Sequence, residues 1–257
     1  MYDFIDLHCH ILCNVDDGAV DTETMKKMLD IAYSDGIKII CFTPHFKIYR
    51  FASDEDISHY NKAINHYYRI ACEYAENKYQ DMKLYLGNEI MYHNDIFDSL
   101  LLKKCSTIAN SSYILIEFPP HASAYDLRTS TLKLLRKGFI PILAHVERYD
   151  AFIDDFSLLK ELKDLGAFIQ INASSITSLR FGKTAHFVQK ALKNQLVDII
   201  SSDSHDTKLL YPNLSKAHKK VSKICDKDFA KKVFHDNQLL ILGIHTKEIK
   251  NELKQST

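Results

Sequence analysis

Two histidines one residue apart, His8 and His10, follow a short apolar run that begins almost at the first residue. Residues i and i+2 of a strand share a face, so the pair offers two imidazoles to one side, as a metal site requires. Alone, such a pair is an ordinary accident. Its weight comes from recurrence, because the apolar run 39–42 leads to His45, 84–86 to Glu89, 114–116 to Glu117, 140–144 to His145, and 197–200 to Asp203 and His205. Donors so scattered in sequence converge only if the strands are parallel and share one end. With Asp16 or Asp17 from the loop after His10, the set is imidazole and carboxylate without thiolate, which suits Mn, Fe or Zn better than a purely Mg or Ca site. The set is larger than one ion needs, so a bridged cluster of two or three is expected, with Glu89 as a bridge. Adjacent divalent ions can hold a hydroxide nucleophile and neutralise a phosphoryl oxygen, which points to hydrolysis of a phosphate ester. Each donor has a plain alternative: a turn at Asp16-Asp17-Gly18, a strand end at Glu117, a hydrogen-bonded core histidine at His145. Jointly these alternatives require many independent accidents at corresponding strand ends.

Arg148, three residues beyond His145, could set a planar fork on phosphate. The competing role is a surface ion pair with Glu147 or Asp150. His93 and His121 fall in loops at the same end of the strands, and His121 is a candidate substrate contact. His59, His66, His186, His218, His235 and His245 fall on helices or near the tail and are expected to pack or face solvent. No cysteine has an arginine six residues later, and neither a GxSxG elbow nor a GxxxxGK[ST] loop occurs, so a covalent serine or cysteine mechanism has no support.

The elements that must position these donors alternate along the chain. Strands are expected at 4–7, 37–42, 82–86, 113–116, 140–144, 167–171 and 197–200. Helices are expected at 21–34, 55–78, 94–104, 125–137, 156–165, 183–194, 214–225 and 228–236, several closed by a glycine such as Gly36, Gly138 or Gly166. Strand and helix in alternation imply a parallel sheet covered by helices. Polar residues at almost every strand end favour a distorted seven-stranded barrel over an open sheet, whose site gathers at one switch point. The 257 residues read as one domain, with a short charged tail from about residue 247.

Basic and acidic residues balance at 33 each, so no global field draws the chain to nucleic acid or an anionic membrane. No apolar run is long enough to span a bilayer and no leader precedes the first strand, which makes the cytoplasm the expected compartment. The six cysteines, Cys9, Cys13, Cys41, Cys72, Cys105 and Cys225, lack CxxC spacing and read as reduced, mostly buried thiols. Cys9 should face away from its histidine neighbours.

The segments Asp6-Leu7-His8-Cys9-His10, Val15-Asp16-Asp17-Gly18, Thr43-Pro44-His45, Gly87-Asn88-Glu89-Ile90, Ala144-His145-Val146-Glu147-Arg148-Tyr149, Ile171-Asn172-Ala173-Ser174-Ser175 and Ser202-Asp203-Ser204-His205 resemble a known family. It is that of the metal-dependent tyrosine phosphatases of bacterial capsule and exopolysaccharide operons, within the polymerase and histidinol phosphatase (PHP) superfamily. The resemblance implies a PHP-type barrel with three ions, typically manganese, with Fe, Zn, Co or Mg as alternatives. It assigns one ion to His8, His10, Glu89 and Asp203, a second to Glu89, Glu117 and His145, and a third to Asp17, His45 and His205. Arg148 would grip the phosphate and, with Asp203 and His205, form the catalytic group. The implied substrate is the phosphotyrosine tail of a membrane-associated bacterial tyrosine kinase. Family members usually carry a second phosphate arginine shortly after the DxH pair; here the stretch is Asp206-Thr207-Lys208-Leu209-Leu210-Tyr211-Pro212, so that arginine is absent and Lys208 is no more than a candidate substitute. A histidinol-phosphatase-like small-molecule phosphatase and a non-catalytic kinase-binding regulator are the competing readings. The sequence sets no oligomeric state.

Overall fold

The computed structural model describes residues 2–47, 53–178 and 182–244. The strands are β1 (Phe4–Asp6), β2 (Ile37–Phe42), β3 (His45–Phe46), β4 (Lys83–Leu86), β5 (Glu89–Met91), β6 (Tyr113–Glu117), β7 (Ile140–Leu143), β8 (Phe168–Asn172) and β9 (Ile199–Ser201). The helices are α1 (Thr22–Ser34), α2 (Asp54–Lys78), α3 (Ile96–Leu101), α4 (Ala124–Arg136), α5 (Asp150–Asp154), α6 (Phe156–Asp164), α7 (Ala173–Thr177), α8 (Lys183–Lys193), α9 (Ser215–Ile224), α10 (Lys227–Lys231) and α11 (Asn237–Ile241). The strands pair only in parallel, in the orders β1-β2-β4 and β3-β5-β6-β7-β8-β9.

The α/β class and the parallel pairing agree with the sequence reading, but the strand count does not. The expected strands 37–42 and 82–86 stand as β2 and β4, and each is followed after a short break by a further strand that the sequence reading did not include. Pro44 has no N–H to donate and separates β2 from β3, while Gly87 and Asn88 separate β4 from β5. A Cβ at Gly87 would stand 2.9 Å from Ile108 Cδ1 and 3.2 Å from Ile108 Cα, so a larger residue in this turn would crowd Ile108. The expected helix 228–236 is present but irregular and longer: α10 passes through a π-helical turn, Lys232–Asp236, into α11. Helix starts are better defined, with Asp21 accepting the Thr24 amide before α1 and a Ser53–Asp56 capping box opening α2.

Alternation sorts the strand residues into two apolar clusters. Ile40, Phe42, Ile90, Ile114, Ile116, Leu143, Ile169 and Ile171 pack with the helices. Ile5, Leu7, Cys41, Leu115, Ile142, Ala144 and Ile199 face inward, joined by Leu239 and Ile241 of α11. Beyond β1 the chain stays extended and meets the segment after β9: the Asp203 amide donates to the His8 carbonyl, and the His10 amide to the Ser204 carbonyl, each at 2.8 Å. On its other side the Thr43 amide donates to the Cys9 carbonyl at 3.0 Å.

Candidate metal centre

The polar strand ends gather above the inward apolar cluster. His8 and His10 share a side, as their spacing implies, but only after the phase of alternation changes beyond Leu7; Cys9 then packs outward and His8 and His10 inward. Glu117 continues the inward phase of Leu115, and Asp203 that of Ile199 and Ser201. His145 follows an inward Ala144 and would face the helices in a regular strand. Its left-handed backbone, φ 34°, brings Nε2 to 2.7 Å from Glu89 Oε1. Asp203 is left-handed too, at φ 52°. Such backbone costs on the order of 1 to 3 kcal/mol for a non-glycine residue and persists where surrounding contacts enforce it.

Three overlapping sets of donor atoms result, each with all its atoms within 4.8 Å of one another: His8, His10, Glu89 and Asp203; His45, Glu89 and Glu117; and His10, Asp17, His45 and His205. The first set is the one expected. In the second, His45 stands where His145 was expected, although His145 Nε2 is close by, 3.9 Å from Glu117 Oε2. The third holds the expected residues and His10. The sets run from a buried floor to an open mouth: His8, Glu89 and Asp203 are buried, while the Asp17 side chain is 65 % exposed.

Two further residues orient these donors: Asp16, the other of the two loop candidates, and Gln170, which sequence reasoning passed over. Asp16 lies 2.7 Å from His10 Nδ1 and accepts the amides of His45 and Gly18 at 3.0 Å, which leaves Asp17 to face His45 and His205. The Gln170 carboxamide oxygen accepts the His145 amide at 2.6 Å and lies 3.2 Å from His8 Nδ1. Metal-binding imidazoles are commonly held this way through their second nitrogen. The signal was present in Phe168-Ile169-Gln170-Ile171-Asn172, where two polar residues occupy the inward phase of an otherwise apolar strand.

Electrostatics and unmet hydrogen bonding both fit cations. Burial opposes protonation of His8 and His10, yet Glu89, Asp203 and, for His10, Asp16 hold both imidazoles above their usual range. Burial likewise opposes ionisation of Glu89 and Asp203, yet the imidazoles hold both below the carboxylate range. Burial and the neighbouring His10 push His205 down. Glu89 Oε2, Glu117 Oε1, His45 Nδ1 and His145 Nδ1 are buried without a hydrogen-bond partner. His45 Nδ1 is only 3.1 Å from Glu89 Oε2 and 3.2 Å from Glu117 Oε1, but the groups are not aligned for hydrogen bonds. Unpaired buried polar atoms cost about 1 to 3 kcal/mol each, and nitrogen and oxygen lone pairs converging without thiolate are what a divalent transition ion takes up.

Arg148 reaches the cluster and not the alternative surface partners, its Nη2 donating to Asp203 Oδ2 at 2.8 Å. Glu147 is buried, accepting the Asn172 amide at 3.0 Å and the Ser175 hydroxyl at 2.7 Å. Asp150 pairs with His121, whose side chain is 87 % exposed and outside the donor sets. Lys208 is exposed in a turn built on the Asp206 carboxylate, which accepts its amide and that of Leu209. His93 and the helix histidines also lie outside the donor sets: His218 hydrogen-bonds Tyr2 at 2.6 Å and His235 the Asp3 carbonyl at 2.8 Å. His245 and the tail lie outside the described residues.

Known proteins share this arrangement of chain. The chain is 31 % identical to the tyrosine-protein phosphatase CpsB of Streptococcus agalactiae, over 94 % of this chain and 99 % of that protein. It is 32 % identical to the tyrosine-protein phosphatase YwqE of Bacillus subtilis, over 79 % and 78 %. It superposes with a TM-score of 0.82, at 26 % identity and covering 94 % and 95 % of the two chains, on a crystal structure from work on YwqE from Bacillus subtilis and CpsB from Streptococcus pneumoniae, described as unique metal-dependent tyrosine phosphatases. The family model for capsular polysaccharide synthesis, CpsB/CapC, matches residues 4–243, from the first strand to just beyond α11. The donor-bearing strand ends all fall inside that span, and the chain belongs to the CpsB/CapC family.

Proposed function

We propose that the protein is a metal-dependent phosphotyrosine-protein phosphatase. The observation that carries this reading is the overlap of three donor sets through Glu89, His10 and His45, with an arginine donating to the same cluster from the mouth. His8, His10, Glu89 and Asp203 would hold one ion, Glu89 and Glu117 with His145 and His45 a second, and Asp17, His45 and His205, beside His10, a third. Manganese is the proposed metal. Such ions, when bound, polarise phosphoryl oxygen and make water acidic enough to supply a nucleophile near neutral pH.

The chain's own side chains do the rest. Arg148 is half exposed and offers a planar fork to phosphoryl oxygens arriving at the mouth. Asp16 and Gln170 hold the His10 and His8 rings in place. The Asp203 carbonyl lies 2.9 Å from His205 Nδ1, which leaves Nε2 facing Asp17. A phenolate leaves more readily than an alkoxide, and the long aromatic stem of phosphotyrosine reaches donors that lie below the rim.

The same reading takes β2 with β3, and β4 with β5, as successive lengths of two staves, so that nine strands make a distorted seven-stave barrel in a single domain. Its two apolar clusters lie on opposite faces of the same strands. The substrate would be the tyrosine-phosphorylated tail of a membrane-associated kinase of polysaccharide export, met in the cytoplasm. The family's place in capsular polysaccharide synthesis supports this, and no helix among the described residues is long and apolar enough to cross a membrane.

The test is turnover of phosphotyrosine and phosphoserine peptides and of a panel of phosphorylated metabolites, with metal analysis of the same sample. Fast hydrolysis of the phosphotyrosine peptide alone, lost on chelation and restored by Mn, is expected. Equal rates on both peptides would replace the reading by a broader phosphoesterase, preference for a metabolite by a small-molecule phosphatase, and no hydrolysis by metallated protein by a binding regulator.

A further inference from the structure

The two oxygens of Asp203 have separate company. Oδ1 faces the imidazoles, 3.3 Å from His8 Nε2 and 3.5 Å from His10 Nε2. Oδ2 accepts two hydrogen bonds on its other side, from Asn172 Nδ2 at 2.6 Å and from Arg148 Nη2 at 2.8 Å. The two donors differ in freedom. Arg148 is a long side chain, 47 % exposed. Asn172 is buried and pinned: its carboxamide oxygen accepts Gln170 Nε2 at 2.8 Å, and its backbone amide donates to Glu147 Oε1 at 3.0 Å. The bond from Gln170 also fixes which way the carboxamide points, since the flipped form would set an oxygen against the Asp203 carboxylate.

We propose that Asn172 is a positioning residue that holds Asp203 while Arg148 leaves it for the substrate's phosphate. The proposal rests on the phosphatase reading. A phosphoryl group at the mouth offers Arg148 two or more anionic oxygens, whereas Asp203 offers one that is already shared. Leaving a buried carboxylate oxygen with no donor is costly, and hydrogen bonds to charged groups are among the stronger ones. Asn172 lowers that cost by keeping Oδ2 satisfied after the guanidinium swings away, and it keeps Oδ1 aimed at the donor cluster. Without it, Arg148 becomes the sole partner of Oδ2 and is retained there, so phosphate binds in competition with Asp203. Gln170 and Glu147 contribute by fixing Asn172, although neither touches Asp203 Oδ2.

The experiment titrates inorganic phosphate into Mn-loaded protein by calorimetry, with Mn per chain and thermal unfolding measured on the same samples. Asn172→Ala is expected to raise the phosphate Kd on the order of tenfold, the cost of one such hydrogen bond, with Mn per chain retained. In an Arg148→Ala background, where the competition is gone, the same change should alter Kd by less than about twofold, because the two effects are coupled. Asn172→Asp, nearly the same size, sets a second carboxylate beside the guanidinium and should weaken phosphate binding at least as much; it carries the test if the alanine variant does not fold. Equal weakening in both Arg148 backgrounds, or loss of Mn that accounts for the whole change, would overturn the proposal. Because the readout is binding, a wild-type protein that binds phosphate but does not hydrolyse phosphotyrosine would sink the phosphatase reading alone.

Discussion

Glu89 Oε2 lies 3.1 Å from His45 Nδ1 at the point where two donor sets meet, and neither atom has a hydrogen-bond partner. Glu89 belongs to both sets and Glu117 to one. Elemental analysis should therefore find that Glu89→Gln lowers bound Mn by more than one ion per chain, and Glu117→Gln by no more than one. Equal losses would mean that Glu89 does not bridge.

Arg148→Ala should reduce kcat/KM on a phosphotyrosine peptide by about 2 to 4 kcal/mol in transition-state terms if the guanidinium stabilises developing charge. Arg148→Lys should recover little of this, since an ammonium cannot reproduce the planar fork. Wild-type kinetics in a folded, metallated alanine variant would confine Arg148 to a surface role.

Hydrolysis should occur in one displacement by water, with inversion at a chiral phosphate. Cys9, Cys13 and Cys41 are buried, and burial pushes the Cys9 thiol well up and that of Cys41 up to about 12, so neither of these two supplies a thiolate. Alanine at these three positions should leave turnover largely intact once folding and metal content are matched. Retention of configuration, or a trapped phosphoenzyme, would contradict this.

Gly18 carries the loop that presents Asp17. A Cβ there would stand 1.9 Å from the His10 carbonyl oxygen and 2.7 Å from His10 Cβ, both fixed parts of the site. Gly18→Ala should shift the loop, cost about 1 to 3 kcal/mol as overpacking does, and weaken the set formed by His10, Asp17, His45 and His205. Thermal unfolding and Mn per chain measure the two effects. An unchanged melting temperature with full metal content would show that the loop yields freely.

The donor residues other than Asp17 were legible because each lies at or just beyond the end of an apolar run, and parallel strands deliver such ends to one place. Asp16 and Asp17 could not be separated by sequence, since both follow His10 within one turn; hydrogen bonds from Gly18 and His45 decide that Asp16 faces the loop. Gln170 and Asn172 went unassigned because an amide in a strand has no fixed partner until neighbouring strands are in register. The short strands β3 and β5, beyond Pro44 and Gly87-Asn88, have too few residues to show an alternation of their own, and the π-helical turn before α11 leaves no distinct pattern in Lys232-Val233-Phe234-His235-Asp236. The inward turn of His145 depends on a backbone conformation that propensity does not reveal.

The seam in which Cys9 bridges Ser204 unites the beginning of the chain with a segment nearly two hundred residues later. Contacts so distant in sequence form late in folding, since the closing loop must first be confined. His8 and His10 leave the ribosome early, whereas Asp203 and His205 emerge only when most of the chain has been made. A nascent chain or a fragment cut before β9 therefore has His8, His10, His45, Glu89 and Glu117 but neither Asp203 nor His205, so two of the three donor sets are incomplete until the last strand is in place. Completion of the donor cluster thus waits on the closing of that seam, and a truncated chain would carry it only in part.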